Sequence, residues 1–274
     1  MEPIPFYKMN GCGNDFIIID GRSARVPSDL VAFIRRVCRR KLSIGADGLI
    51  LIEASDRYDF QWQFYNADGS RAEMCGNGAR CAARFAHERG IAGQTMIFKT
   101  DAGPIEAEMR GTQVKLKMTP PGDCRIDYAI AVSGGQQILS SINTGVPHVV
   151  LEQDGLADAQ IVPLGREIRY HETFAPAGTN VNFVSPAAGR RLQVRTYERG
   201  VEDETLACGT GCVAAALVTA VRRGWTSPIP VTTRSGGILT IHFQQDGDLF
   251  REVYLEGDAR IVYTGEIHSD ALLS

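Results

Sequence analysis

The sequence predicts a protein of mixed α/β structure, more specifically of the α+β class. It predicts two similar domains, each with a mixed, mostly antiparallel sheet that wraps around one central helix. A Cys-Gly-x-Gly motif occurs twice, at Cys75 and at Cys208, 133 residues apart in a chain of 274. Strand-like apolar runs precede each motif, and a helical segment follows it and ends at a glycine, Gly90 or Gly224. Self-similarity at one fixed offset predicts an internal repeat.

Further matches extend the repeat over most of the chain. The stretch Gly45-Ala-Asp-Gly falls against Gly178-Thr-Asn-Val at the same offset of 133, and Gly13 falls against Gly145 at an offset of 132. The predicted strands are 16–20, 49–53, 60–65 and 113–118 in the first half, and 149–152, 181–185, 192–197 and 238–243 in the second. The predicted central helices are 77–89 and 210–223.

The composition is that of an ordinary globular protein. Hydrophobic residues make up 44% and charged residues 22%, and the net charge of −3 favours neither nucleic acid nor an anionic membrane as a partner. The sequence has no run of about 18 apolar residues, so no membrane span is expected. It also lacks a basic start followed by an apolar block, so no signal peptide is expected. Seven cysteines without an export signal predict reduced thiols in a cytoplasmic protein.

The two cysteines that begin the predicted helices are the candidate catalytic residues. An unperturbed cysteine titrates at about 8.5, and the thiolate is favoured at a helix N-terminus, where backbone N–H groups are unpaired. The glycine that follows each cysteine, Gly76 or Gly209, allows the backbone to approach a ligand, so the N–H groups could bind a carboxylate.

This arrangement predicts a proton transfer between two thiols. If both helix starts converge on one α-carboxylate, one thiolate removes the α-proton and the other thiol protonates the opposite face of the carbon. The N–H donors would stabilise the charge that develops on the carboxylate. The scheme needs no cofactor, and the sequence has no dinucleotide or phosphate-loop fingerprint.

The other cysteines are interpreted as small buried residues. Cys81 and Cys212 lie inside the predicted helices, and their spacing from Cys75 and Cys208 does not match paired zinc ligands, so no metal is expected. Three further cysteines have no counterpart in the repeat, namely Cys12, Cys38 and Cys124.

Three segments resemble the diaminopimelate epimerase family. They are Met9-Asn-Gly-Cys-Gly-Asn-Asp-Phe-Ile17, Tyr65-Asn-Ala-Asp-Gly-Ser70 followed by Met74-Cys-Gly-Asn-Gly-Ala-Arg-Cys81, and Tyr197-Glu-Arg-Gly-Val-Glu-Asp-Glu-Thr-Leu-Ala-Cys-Gly-Thr-Gly211. The resemblance implies a cytoplasmic, cofactor-independent homodimer that interconverts LL- and meso-diaminopimelate for lysine and peptidoglycan synthesis. It also implies an N-terminal half over 1–120 with the last strand at about 262–274, and a C-terminal half over 121–261.

The resemblance assigns roles residue by residue. Cys75 and Cys208 match the proton-transfer pair, with His148 and Glu198 as residues that support catalysis close to them. The backbone cradle for the reacting carboxylate matches Gly76, Asn77, Gly209 and Thr210. The residues for the non-reacting amino-acid end match Asn14, Asn66, Asn180 and Arg199, with Glu198 also counted among the substrate-binding residues.

Two positions depart from the family pattern. Some members have Gln where this chain has Gly48, and many have Asn where it has Val146. Contacts to the distal end of the substrate could therefore differ here, whereas the cysteine motifs are complete.

Three other functions remain open on the sequence alone. A proline or hydroxyproline racemase would share the two-cysteine mechanism, but such relatives typically have His where this chain has Asn77. An isomerase of the kind found in phenazine biosynthesis would lack the cysteines. A non-catalytic protein that binds a dicarboxylate would have no use for two activated thiols.

Overall fold

The computed structural model describes residues 2–247 and 249–273, so residues 1 and 274, the outer limits of the predicted domains, lie outside the described residues. The chain forms two compact units. The first comprises Met1–Leu116 and Gly257–Ser274, and the second comprises Lys117–Glu256.

The first unit is a mixed sheet with two helices. Its strands are β1 (Ile4–Gly11), β2 (Asn14–Asp20), β3 (Gly48–Glu53), β4 (Phe60–Asn66), β5 (Thr95–Thr100), β6 (Gly103–Arg110), β7 (Gln113–Lys117) and β17 (Arg260–Ile267). Its helices are α1 (Leu30–Val37) and α2 (Gly76–Glu88). The pairs β2–β3 and β4–β5 are parallel, whereas β17–β1, β1–β2, β3–β4, β5–β6 and β6–β7 are antiparallel.

The second unit repeats this topology. Its strands are β8 (Gly122–Val132), β9 (Gly135–Asn143), β10 (Pro147–Glu152), β11 (Asn180–Ala187), β12 (Arg191–Glu198), β13 (Asp203–Thr205), β14 (Ile229–Thr232), β15 (Ile238–Asp246) and β16 (Leu249–Asp258). Its helices are α3 (Ile161–Arg169) and α4 (Gly209–Arg223). The pairs β10–β11 and β12–β14 are parallel, whereas β8–β9, β9–β10, β11–β12, β12–β13 and β14–β15 are antiparallel.

The register of the strands reproduces the sequence repeat. Phe16 pairs with Gly48 in the first unit and Val149 pairs with Val181 in the second, so both partners shift by 133 residues. The last strand of the chain, β17, lies beside β1 as β8 lies beside β9. The predicted fold class, two similar units with mixed and mostly antiparallel sheets, is therefore confirmed.

Each unit buries one helix that follows a cysteine motif. In α4 every residue from Gly211 to Ala220 is buried, as expected for a helix without a polar face. Burial of large side chains such as Leu217 and Val218 contributes about 1.5–3 kcal/mol each. The helix ends at Gly224, whose φ of 62° is the left-handed conformation that glycine adopts at low cost. Within the described ranges, no helix has the length and apolar character needed to cross a bilayer.

Candidate active site

The two candidate catalytic cysteines occupy the same local position in the two units. Cys75 is the N-cap residue of α2 and Cys208 is the N-cap residue of α4, and both have an extended backbone with φ of −145° and −117°. Their carbonyl groups accept the first helical hydrogen bonds, from the N–H groups of Ala79 (2.8 Å) and Cys212 (2.9 Å). Each cysteine therefore lies at the end of its helix where the dipole favours negative charge.

The backbone after each cysteine is open to a ligand. A Cβ atom placed on Gly76 would have no neighbour within 4 Å, and one on Gly209 would meet only Leu255 Cδ1, at 3.3 Å. The thiol of Cys208 lies 3.6 Å from the hydroxyl of Thr210, within the first turn of α4. The first turns can thus present N–H groups to a carboxylate.

Three other thiols are held in the neutral form by burial. Burial raises the pKa of Cys12 to about 11, of Cys38 to about 12 and of Cys81 to about 12. A neutral, enclosed thiol is a poor nucleophile and a poor base. This agrees with the interpretation of these three cysteines as packing residues.

A chain of polar side chains in the first unit joins Asn14 to the start of α2. The amide of Asn77 donates to Asn14 Oδ1 (2.7 Å), and Arg80 Nη2 donates to Asn77 Oδ1 (2.7 Å). The amide of Asn14 donates in turn to Asp47 Oδ2 (3.1 Å), and Arg40 Nη2 donates to Asp47 Oδ1 (2.8 Å). The structure thus brings Asn14 and Asn77 together, and these bonds fix the orientation of both amides.

Asn66 has a different local role from the other candidate residues. Its side-chain amide donates to Ser70 Oγ (3.0 Å) and its backbone N–H donates to Ser70 O (2.9 Å), so it stabilises the turn after β4. It stands opposite Gly48 in the β3–β4 register. The side chain of Asn66 is exposed, so a ligand could reach it.

In the second unit the structure brings Asn180 and Arg199 together. Asn180 Oδ1 accepts a hydrogen bond from the backbone N–H of Arg199 (2.9 Å), and its amide donates to Pro147 O (3.2 Å). The guanidinium of Arg199 donates to Ala177 O (3.2 Å). That single bond leaves most of the donors of Arg199 able to bind a carboxylate in a bidentate manner.

His148 is buried, and Glu198 is half-buried. His148 is 1% exposed, and burial lowers its pKa to about 3, with a smaller contribution from the positive charge of Arg199. Burial raises the pKa of Glu198, although the nearby Thr205 hydroxyl acts in the opposite direction. The imidazole is therefore neutral at physiological pH, and the carboxyl group gains a proton more readily than an exposed glutamate.

The acid sensitivity of the fold should depend on His148. An unfolded histidine binds a proton near pH 6.5, whereas the folded one does so only near pH 3, so the unfolded state binds more protons between these values. Stability contributed by the neutral imidazole is then present above pH 6.5 and falls as the pH drops toward 3. We expect wild type to lose about 2 kcal/mol of unfolding free energy from this group between pH 7 and pH 5. Urea denaturation at both pH values measures this loss of unfolding free energy. An equal loss in a His148→Gln variant would contradict the prediction.

The structure gives a physical reason for glycine at position 48. A Cβ there would overlap the carbonyl oxygen of Tyr65 on the neighbouring strand and would lie 2.9 Å from the ring of Phe64. Gly48→Ala should therefore lower the unfolding free energy by about 1–3 kcal/mol, because a backbone carbonyl cannot rotate away. Thermal denaturation of Gly48→Ala and of the control Gly93→Ala tests this prediction, because a Cβ on Gly93 would have its nearest atom 3.7 Å away. Equal stability of the two variants would contradict the prediction.

Three residues were missed by reasoning from the sequence: Asp47 and Arg80 of the cluster around Asn14, and Asn182, whose amide nitrogen lies 3.1 Å from His148 Nδ1. Arg80 is fully buried in a helix, and Asn182 is fully buried in a strand. A charged or amide side chain in a buried segment is a signal of a built polar site, since burial without partners is costly. The described part of the chain contains no group of three or more His, Cys, Asp or Glu placed to hold a metal ion.

Solved structures share this fold across nearly the whole chain. A phenazine biosynthesis protein of the PhzF family from Bacillus anthracis has a TM-score of 0.71 at 14% identity, covering 98% of this chain and 100% of that protein. A probable proline racemase from Agrobacterium radiobacter has a TM-score of 0.69 at 17% identity, covering 97% and 93%. At such low identity these likenesses show the fold alone.

Sequence comparison identifies the family within this fold. The family model described as diaminopimelate epimerase matches residues 6–122 and 140–262. A diaminopimelate epimerase from Aquifex aeolicus is 47% identical over 97% of this chain and 99% of its own length, and one from Archaeoglobus fulgidus is 41% identical over 98% of both. The chain belongs to the diaminopimelate epimerase family, and it is an isomerase.

Proposed function

We propose that this protein converts LL-diaminopimelate into meso-diaminopimelate by inverting one α-carbon, a step toward lysine and peptidoglycan precursors. The observation that supports this most directly is the repeated placement of a cysteine at a helix N-terminus, Cys75 on α2 and Cys208 on α4. The relatives named diaminopimelate epimerase match this chain over both units.

In the proposed reaction the two thiols act on opposite faces of the same carbon. One cysteine, as thiolate, removes the α-proton, and the other, as thiol, donates a proton to the opposite face. The configuration inverts, the first cysteine ends as thiol and the second as thiolate, and the reverse reaction uses them in exchanged roles. No redox partner is required, since a proton is removed and a proton is added.

The backbone that follows the cysteines would stabilise the carbanion. We propose that N–H groups of Gly76, Asn77, Gly209 and Thr210 bind the α-carboxylate of the reacting end. Negative charge that spreads from the α-carbon into this carboxylate meets fixed donors that need no reorganisation. The open surface at Gly76 and Gly209 supports this role.

The other end of diaminopimelate is an amino acid that does not react, and it carries both charges. We propose that Asn14, Asn66, Asn180 and Arg199 bind it. Asparagine amides offer donors and acceptors, and the guanidinium of Arg199 offers two parallel donors to a carboxylate. The side-chain bonds of Asn14 and Asn180 orient these two amides before a substrate arrives.

We propose that His148 and Glu198 support the cysteines and that Glu198 also contacts the substrate. The two residues lie on β10 and β12 of the same unit as Cys208, and His148 is buried whereas Glu198 is half-buried. A screened environment strengthens electrostatic interactions with a reacting thiol.

Incubation with LL-diaminopimelate in D2O without added cofactor tests the proposal. The freshly reduced protein should form the meso isomer with one deuterium at the inverted carbon, as measured by chiral chromatography and mass spectrometry. No inversion would reject the proposal. Proline and hydroxyproline in parallel reactions test the alternative activity.

We further propose a cytoplasmic homodimer whose subunits each comprise an N-terminal and a C-terminal epimerase half, as the resemblance implies. Sedimentation equilibrium should then give twice the chain mass of 29.9 kDa, and a mass of one chain at micromolar concentration would contradict the dimer.

A further inference from the structure

Asn182 lies at the centre of a buried cluster that contains His148. The two residues stand on neighbouring parallel strands, β11 and β10, and Asn182 is 0% exposed. The amide nitrogen of Asn182 lies 2.8 Å from Val149 O and 3.1 Å from His148 Nδ1. Its amide oxygen accepts a hydrogen bond from the hydroxyl of Thr196, at 3.0 Å.

These contacts determine which nitrogen of His148 carries the proton. A backbone carbonyl can only accept, so the group of Asn182 that faces Val149 O must be the amide NH2. The second hydrogen of this NH2 then points at His148 Nδ1, which must accept it. A neutral imidazole that accepts at Nδ1 carries its proton at Nε2.

The other side of the imidazole is unusual for a buried group. His148 Nε2 is shielded from solvent and has no hydrogen-bond partner among the described residues. A buried donor without a partner is costly, and a role in catalysis is one of the explanations for such an atom in a native protein. The low pKa of His148, set by burial, agrees with a neutral ring whose only available donor is Nε2–H.

The same asparagine also lies against the helix that begins at Cys208. A Cβ on Gly211 would overlap Asn182 Oδ1, so only glycine allows the first turn of α4 to approach this amide. Asn182 therefore connects the position of His148 to the first turn of the cysteine helix.

We propose that Asn182 is a positioning residue that holds His148 as the neutral Nε2–H tautomer, so that His148 assists epimerisation as a hydrogen-bond donor and not as a base. The proposal rests on the proposed function for its effect on catalysis. The tautomer itself is a property of the folded chain that can be measured without substrate.

The first test is the tautomer of wild type. Long-range ¹H–¹⁵N correlation spectra of protein labelled in its five histidines distinguish a protonated ring nitrogen from a bare one. The signals of His148 are assigned by their loss in His148→Gln. At neutral pH we expect Nε2 protonated and Nδ1 bare, and a proton on Nδ1 or on both nitrogens would overturn the proposal.

The second test separates a tautomer effect from a general loss of packing. Asn182→Leu removes the donor to Nδ1 and Asn182→Asp replaces it with an acceptor, which should move the proton to Nδ1. We expect kcat to fall about tenfold or more in both variants, with little change in KM. The matched control Thr196→Val removes the other hydrogen bond of Asn182 and should keep both the tautomer and kcat.

The outcomes are distinguishable from failure of the proposed function. An altered tautomer with wild-type kcat, or an unaltered tautomer in Asn182→Asp, would overturn the role of Asn182. Absence of epimerisation by wild type would reject the proposed function. The spectra would still show which ring nitrogen of His148 carries the proton, and so would still test the role of Asn182.

Discussion

Replacement of Cys75 or of Cys208 by alanine should abolish epimerisation. Positioned acids and bases contribute about 10² to 10⁴-fold each, and water cannot take the place of a thiol at a helix N-terminus. We therefore expect kcat to fall by at least about 10²-fold in either single variant, with meso-diaminopimelate formation as the measurement. The double variant should be only slightly worse than either single one, because residues that act as a unit are not additive.

The control for these variants is Cys124→Ser. Cys124 lies on β8, away from both helix starts in the sequence, and has no counterpart in the repeat. This variant should keep wild-type activity, and all variants should keep the circular dichroism and melting temperature of a folded chain. Near-normal turnover by Cys75→Ala or Cys208→Ala would contradict the two-thiol reaction.

Hydrogen exchange separates the roles of the two cysteines. A variant that retains one thiol can still remove the α-proton that points toward it and return a deuteron to the same face. Any exchange in D2O should therefore be confined to one epimer in Cys75→Ala and to the other in Cys208→Ala. Exchange of both epimers by one variant would indicate a base other than the two cysteines.

Local sequence patterns were sufficient to predict the elements that carry the cysteines. The Cys-Gly-x-Gly turns predicted helix starts at 77 and 210, and the helices begin at Gly76 and Gly209. This works because an N-cap, a following glycine and an apolar helix are all encoded within a few residues. The repeat then predicted the common topology, since two similar segments of sequence fold into similar units.

The polar clusters could not be predicted in this way, because their contacts join distant positions. Asn77 and Asn14 are 63 residues apart, and Arg80 and Asp258 are 178 apart. Sequence patterns identify Asn77 only as part of a turn, whereas the structure shows its side chain as the link between Arg80 and Asn14. The family resemblance supplied roles for Asn14 and Asn77, but nothing local indicated what holds their amides.

Burial explains why these clusters are specific. Asn77 is 3% exposed, and Asn182 is 0% exposed, so each amide must satisfy its donors and acceptors within the protein. A buried amide with both ends engaged has one orientation. Preorganised amides of this kind are expected beside a reaction that depends on fixed dipoles.

Replacement of Arg80 should lower both the stability and the activity of the protein. Its guanidinium is fully buried and donates to three oxygens: Asn77 Oδ1 (2.7 Å), Asp258 O (3.2 Å) and Gly76 O (3.3 Å). Arg80→Met keeps much of the volume but leaves these acceptors without a donor. We expect the unfolding free energy to fall by about 3 kcal/mol, as measured by urea denaturation.

The same change should reduce activity beyond its effect on folding. Without Arg80 the amide of Asn77 can rotate, and both the first turn of α2 and Asn14 lose a fixed neighbour. Misplacement of such groups by about 1 Å can lower a rate by about 10²-fold, so kcat/KM should fall at temperatures where the variant remains folded. Arg80→Lys should be intermediate, because one ammonium group cannot reach all three oxygens in the geometry of a planar fork.

The matched control for Arg80 is Arg84, one turn later on the same helix. Arg84 is only partly buried, donates to Ala259 O (2.5 Å) and forms an ion pair with Glu88 at 3.5 Å. Arg84→Met removes the same charge but should cost about 1 kcal/mol or less, with activity retained. If Arg80→Met lost no more stability than Arg84→Met, or lost stability with unchanged kcat/KM, then Arg80 would not position Asn77. If Arg80→Met loses both stability and kcat/KM, then the buried guanidinium of Arg80 stabilises the first unit and also positions the first turn of the helix that follows Cys75.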